Sequence, residues 1–176
     1  TRDEQIANAP NKAARTRLIN QLEIANPGLR EEYFDALHSS EAESNFLRDS
    51  GIYPLTGRGD INTYSVFSEL NYRLLNNEGR GGILIPTGIA TDDTNKFYFA
   101  ELIEKNRLVS LFDFENRKAL FPGVHRSYKF CLLTISGQQL KDGFEAQFGF
   151  FLHDVLDLLD KRRIFTLSKE DFLNIN

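Results

Sequence analysis

The sequence predicts an α/β fold in which part of an open sheet follows a helical hairpin, and three observations carry that expectation. Residues 57–93 run in order as a loop, an amphipathic helix, a glycine turn, a short apolar strand and a polar loop. Two further apolar runs, RLVSLFDF at 107–114 and YKFCLLTI at 128–135, have strand length and strand composition. The first fifty residues are instead charge-rich and helical in pattern, with a thin apolar stripe.

In chain order, a first helix is expected over Pro10–Glu23, with Pro10 in its first turn and Leu18, Ile19 and Leu22 on its apolar face. Asn26-Pro27-Gly28 breaks it, and a longer helix from Leu29 to Asp49 follows, burying Tyr33, Leu37, Phe46 and Leu47. The helix Thr63–Asn76 is expected to bury Phe67, Leu70 and Leu74, with Leu75 widening the stripe. The glycine-rich turn 78–82 ends it. Ile83-Leu84-Ile85 is too short for a buried helix and too continuous for a half-exposed strand, so a parallel strand is expected. A helix from Thr94 to Lys105, capped by Asp92 or Asp93, buries Phe97, Leu102 and Ile103. No crossover helix separates the strands at 107–114 and 128–135, so the second must pair antiparallel or leave the sheet. A strand over 144–151, a short helix at Val155–Leu159, a strand at Arg163–Leu167 and a capped helix opening at Ser168 complete the chain. The resulting organisation is a helical hairpin over 1–53, an α/β portion over 54–137 and an α+β extension over 138–176.

The 176 residues, 41% hydrophobic with 15 Phe, have ordinary globular composition. No run approaches the roughly 20 apolar residues of a membrane helix, and a cytoplasmic setting is expected. The single Cys131 sits in an apolar strand-like run and reads as a buried, inert thiol. No methionine is present, which suggests a segment of a longer protein. The net charge of −4 argues against a whole-surface nucleic-acid binder. That average conceals a local balance of +4 over 105–130, against −3 over 1–50. A locally basic face suits a polyanion arriving from one side, although on charge alone a solvated loop is the favoured reading.

In open α/β sheets the loops at strand carboxyl ends form the ligand crevice. Asp60-Ile61-Asn62 before one helix, Thr87-Gly88 after one strand and Asp113-Phe114-Glu115-Asn116 after the next are placed to line it. Asp60 or Asn62 serves equally well as a helix N-cap. His38, His125 and His153 lack metal-ligand spacing, and Gly79-Arg80-Gly81-Gly82 lies between helix and strand, the wrong order for a phosphate cradle.

DINTYSVF at 60–67, GRGGILIPTGIATDD at 79–93 and LVSLFDFENRKALFPGVHRSYKFCLLTISG at 108–137 occur in an order that resembles the later segments of bacterial N6-adenine-specific DNA methyltransferases. The resemblance is to the large type found in restriction-modification and phage-defence systems. It covers residues 54–137 closely, with flanks similar to the same subgroup. It implies a partial Rossmann-like, S-adenosylmethionine-dependent fold, and duplex DNA as the partner. Adenine's exocyclic amine is a poor nucleophile, so carbonyl acceptors and stacking rings must hold the extruded base.

By that resemblance Asp60, Ile61, Asn62, Tyr64, Thr87 and Gly88 lie beside the cofactor and base pockets. Tyr128 or Phe130 stacks on the flipped base, Phe130 being also a natural core residue. Arg117, Lys118, His125, Arg126 and Lys129 meet phosphates. The glycine-rich cofactor loop and the Asn-Pro-Pro-aromatic motif of the family have no counterpart here, since Asn26-Pro27 is followed by Gly28. The chain is therefore expected to be inactive alone, without tight cofactor binding, and to work with the rest of a parent chain. Bare sheet edges should drive self-association. Two alternatives stand: a non-catalytic Rossmann-like module docking a partner subunit or nucleic acid, and a methyltransferase for RNA or protein.

Overall fold

Asp3, Asn11 and Asn26 each place a side-chain oxygen on a backbone N–H at a helix start, and so divide the first fifty residues into three helices. The acceptors take Ile6 N at 3.0 Å, Ala14 N at 2.9 Å and Leu29 N at 3.1 Å, opening α1 (Glu4–Ala7), α2 (Lys12–Ala25) and α3 (Pro27–Asp49). This structure, a computed structural model, describes residues 2–175. Pro10 precedes the Asn11 cap instead of lying inside the helix, and α1 went unpredicted. Ile19 and Leu22 are buried as expected, but α3 buries none of its side chains fully: Tyr33 is 38% and Phe46 53% exposed. A 23-residue helix with so few packing partners in its own unit cannot be covered.

The chain divides at Ser50/Gly51, and the second unit holds the sheet. Here α4 (Thr63–Leu74) leads through a glycine turn to β1 (Arg80–Pro86); short α5 (Gly88–Thr91), a 3₁₀ turn and α6 (Lys96–Glu104) then lead to β2 (Leu108–Glu115). A long loop returns as β3 (Lys129–Ser136), followed by β4 (Ala146–Leu152), β5 (Phe165–Leu167) and α7 (Lys169–Ile175). Among the described residues the sheet has five strands in the order β1-β3-β2-β4-β5.

The expected parallel pairing of Ile83–Ile85 is corrected: the strand pairs antiparallel with β3, Ile85 opposite Cys131 and Ile83 opposite Leu133. β3 is also antiparallel to β2, with Asp113 opposite Cys131. β1 and β2 thus run in the same direction, as their helical connection requires. β3, which returns without a crossover helix, takes the slot between them. The pairing expected of 128–135 is met, and Ile83–Ile85 and Leu108–Phe112 share one sheet. β4 adds on parallel to β2 and β5 antiparallel to β4.

One sheet face carries Ile85, Cys131, Leu133, Ile135, Leu111 and Phe148, packed with Tyr72, Ile89, Tyr98 and Leu102 of the helices. Each fully buried aliphatic chain there contributes about 1.5–3 kcal/mol. The α4 face differs from the one expected. Phe67 and Leu74 are 62% and 73% exposed, while Ser65, Val66, Ser68, Glu69 and Tyr72 turn inward. The polar members are accommodated because each finds a partner. Ser68 Oγ donates to Tyr64 O at 2.7 Å, and Glu69 accepts from Leu55 N, Thr56 N and Thr56 Oγ1. α6 shows the same substitution: Tyr98 is fully buried and donates to Ser68 O, and Phe97 is 43% exposed. Neither Asp92 nor Asp93 caps α6 with its side chain; Asn95 occupies the cap position. Cys131 is buried, and burial pushes its thiol up to about 12.

Candidate functional site

β1, β2 and β4 all run toward the same edge of the sheet, and the entry to β3 lies there too. Asp113, 2% exposed, fastens that edge together. Its Oδ1 accepts from Thr87 Oγ1 at 2.6 Å, just past β1, and its Oδ2 accepts from Phe151 N at 3.2 Å on β4. Among the described residues no cation pairs with this carboxylate; hydrogen bonds alone hold it.

β4 is irregular at this point. Its register on β2 moves from Phe112 opposite Gly149 to Phe114 opposite Leu152, so one extra residue is accommodated as a bulge. Phe151 takes up the bulge with φ +54°, a conformation that bulky residues rarely adopt. Arg163 Nη2 donates to Phe151 O at 2.6 Å, and Lys129 Nζ sits 4.1 Å from its ring centroid.

The loop after β1 has its own lock. Tyr64 OH donates to Asp92 Oδ2 at 3.2 Å, and Asn95 Nδ2 donates to Tyr64 OH at 3.2 Å and to Gly88 O at 2.9 Å. A Cβ on Gly88 would meet Asp92 Oδ2 at 2.3 Å and Tyr64 OH at 2.7 Å, so a larger residue there would push these two side chains aside. Burial raises the Tyr64 hydroxyl above its ordinary value, against the Asn95 hydrogen bond that lowers it. The structure thus brings Tyr64 and Gly88 together, and Thr87 joins Asp113. Asp60 and Asn62 are exposed and Ile61 is half-buried. Asn62 occupies the N-cap position of α4 without a side-chain cap bond.

The loop between β2 and β3 is built around Asn116, which is fully buried. Its Nδ2 donates to Phe121 O and Val124 O, and its Oδ1 accepts from Phe121 N, each at 2.9 Å. Much of the loop's positive charge is already paired. Arg117 bonds Glu115 at 2.9 Å, and Lys118 bonds Asp154 at 2.9 Å. Burial works to raise the Glu115 carboxyl, but Arg117 and then His153, 3.3 Å away, outweigh it and hold it below the usual carboxylate range. Arg126 donates to Arg117 O, His125 Nδ1 meets Ser127 Oγ at 2.8 Å, and the His125 ring lies edge-on to Tyr128. Tyr128 is 64% exposed. Phe130 is half-buried, stacked on Phe114 at 5.4 Å and edge-on to Phe121 at 5.0 Å.

Sequence reasoning missed the Asp113 clamp on β4, the Phe151 bulge and the Glu115–His153 contact. Only the adjacent pair Phe150-Phe151, which breaks the alternation of a strand, carries a trace of the bulge. Among the described residues no helix is long and apolar enough to cross a membrane.

No family model matches the chain, and no curated protein matches it in sequence. Among solved structures the chain is similar to the type IIG restriction endonuclease BpuSI, at 17% identity and a TM-score of 0.48. The match covers 69% of this chain and 16% of that one, so the chain spans about a sixth of that protein's length.

Proposed function

We propose that this chain forms the later half of an adenine-N6 DNA methyltransferase domain that works within a longer protein. The observation that carries the reading is the common edge. The ends of β1, β2 and β4 are drawn together by Asp113, beside the loop that bears Arg117, Lys118, His125 and Arg126 and leads into Lys129. An edge where several strand ends meet, with cations on one side, suits a nucleotide unit whose phosphates approach from that side. Residues 138–176 lead on toward a target-recognition region in this reading.

S-adenosylmethionine is not held by this segment alone. The polar groups past β1 are committed to one another: Thr87 to Asp113, and Tyr64 to Asp92 and Asn95. Among the described residues no buried side-chain polar atom lacks a partner. In this reading the cofactor's chief contacts belong to the rest of the parent. Asp60, Ile61, Asn62, Tyr64, Thr87 and Gly88 form the wall that completes its pocket and that of the base. Because Phe130 already packs on Phe114 and Phe121, the stacking role falls to Tyr128. No residue of this chain performs the methyl transfer itself.

The test offers the longer protein labelled cofactor with duplex DNA, RNA and protein in turn. Label on adenine of duplex DNA is the expected result; label on protein alone removes the proposal. A second reading, a non-catalytic docking module, draws on the unpaired edge of β1 and the exposed Phe67 and Leu74 of α4. It predicts tight association with a partner and no methyl transfer to any polymer.

A further inference from the structure

The Phe151 ring stands apart from the aromatic packing of its neighbours. Phe148, Phe150, Phe165 and Phe172 form an aromatic cluster on β4, β5 and α7, and among the described residues Phe151 belongs to no ring pair. It is 58% exposed, and its backbone is left-handed, a conformation glycine adopts without cost. Yet the residue is held from three sides. The buried Asp113 fixes its N–H, Arg163 fixes its carbonyl, and Lys129 sits over its ring. Strained residues over-determined in this way cluster at functional sites. A partly exposed ring with an ammonium over one face, at the strand ends next to a basic loop, matches a flat π-system joined to a negatively charged group.

We propose that Phe151 is a stacking platform for an unpaired nucleobase of DNA, with Lys129 meeting the adjoining phosphate and Asp113 acting as the positioning residue. The inference rests on the nucleic-acid reading of this edge given above and adds a contact outside the β2–β3 loop. A base still paired in a duplex keeps its faces covered by its neighbours, so the platform serves only a base that is extruded or single-stranded.

The experiment uses the full 176-residue chain and a short single-stranded DNA carrying a fluorescent adenine analogue that is quenched on stacking. Affinity is read by anisotropy at fixed salt. The wild-type chain is expected to bind and quench. Phe151→Gly, which suits the positive φ, should melt within a few degrees of wild type, yet bind about tenfold more weakly (about 1.4 kcal/mol) and lose the quench. Phe151→Trp should restore both, and Phe151→Leu, matched for melting temperature, should restore neither. Asp113→Asn should weaken the quench more than the affinity, because the ring is then misplaced while the cations remain. If Phe151→Gly or Phe151→Leu binds and quenches like wild type while Arg126→Ala/Lys129→Ala binds weakly, the platform falls and the nucleic-acid reading stands. If the wild-type chain binds no single-stranded DNA, both fall.

Discussion

Replacing Glu69 probes the feature that most reshapes the second unit. Its carboxylate is 1% exposed and faces the turn before α4, accepting Thr56 Oγ1 at 2.7 Å, Thr56 N at 2.9 Å and Leu55 N at 3.2 Å through Oε2, with Oε1 also 3.3 Å from Leu55 N. Glu69→Ala leaves two backbone donors and a hydroxyl without their acceptor in a largely buried turn. Each orphaned group costs about 1–3 kcal/mol, and partial relaxation of the turn brings the total to about 3–4 kcal/mol. Glu69→Gln keeps an oxygen at the Oε2 position and loses only the charge-assisted share of its bonds, roughly 1–2 kcal/mol. With a urea slope of about 2 kcal/mol/M, the alanine variant should lower the unfolding midpoint by about 1.5–2 M, and the glutamine variant by about 0.5–1 M. Near-UV circular dichroism is the assay, because five of the six Tyr lie beyond Gly51 and report on the unit that holds Glu69. Equal midpoints for wild type and Glu69→Ala would show that the turn is held by something other than this carboxylate.

Gly137→Ala should be among the most destabilising single changes, costing roughly 3 kcal/mol or more. Its Cβ would fall 1.7 Å from Asn76 O and 3.1 Å from Gly79 O, both backbone atoms, and an unchanged urea midpoint would refute the close approach. The turn after β4 should be acid-sensitive. Arg162 holds the Asp160 carboxyl down to about 2, and backbone donors with Lys118 and Arg163 keep Asp154 and Asp157 low. Carboxyls lowered on folding stabilise above their unfolded values and lose that contribution as pH falls through the folded ones. Nuclear magnetic resonance of residues 154–163 should therefore report loosening between pH about 4 and about 2. Arg162→Ala should move the onset to higher pH; an onset that stays put counts against the pairing. Finally, the open edge of β1, with Leu84 49% exposed, should let copies of the chain associate, and Leu84→Lys should reduce that. A wild-type chain that sediments as a monomer at high concentration removes this expectation.

The sheet was legible because its strands are bounded by glycine turns and missing crossovers, features that local chemistry sets. YKFCLLTI had to pair antiparallel or leave the sheet, and it paired antiparallel between the two strands whose direction the helical connection makes equal. The buried helix faces were less legible. A rule that buries apolar residues turned α4 toward Phe67 and Leu74, whereas the chain buries Ser65, Ser68 and Glu69. Those polar groups go inside only because Thr56, Leu55 and Tyr64 supply their partners, and a partner contributed by a distant turn leaves no periodic mark on the helix itself.

The candidate site follows the same logic. Thr87 and Asp113 could each be placed at a strand end, since strand ends are local events. That Asp113 reaches both Thr87 and the β4 backbone depends on strand order, which places 26 residues of separation on one side of it and 38 on the other within hydrogen-bond range. The bulge at Phe151 then becomes intelligible as a consequence of the clamp. A regular β4 would point its next N–H along the ladder to β2, whereas the extra residue turns one N–H toward the carboxylate and swings the adjoining ring to Lys129. The oxygens of a buried carboxylate need such donors. The buried aspartate thus satisfies the N–H of the left-handed phenylalanine, and substituting Asp113 should disturb the backbone at Phe151.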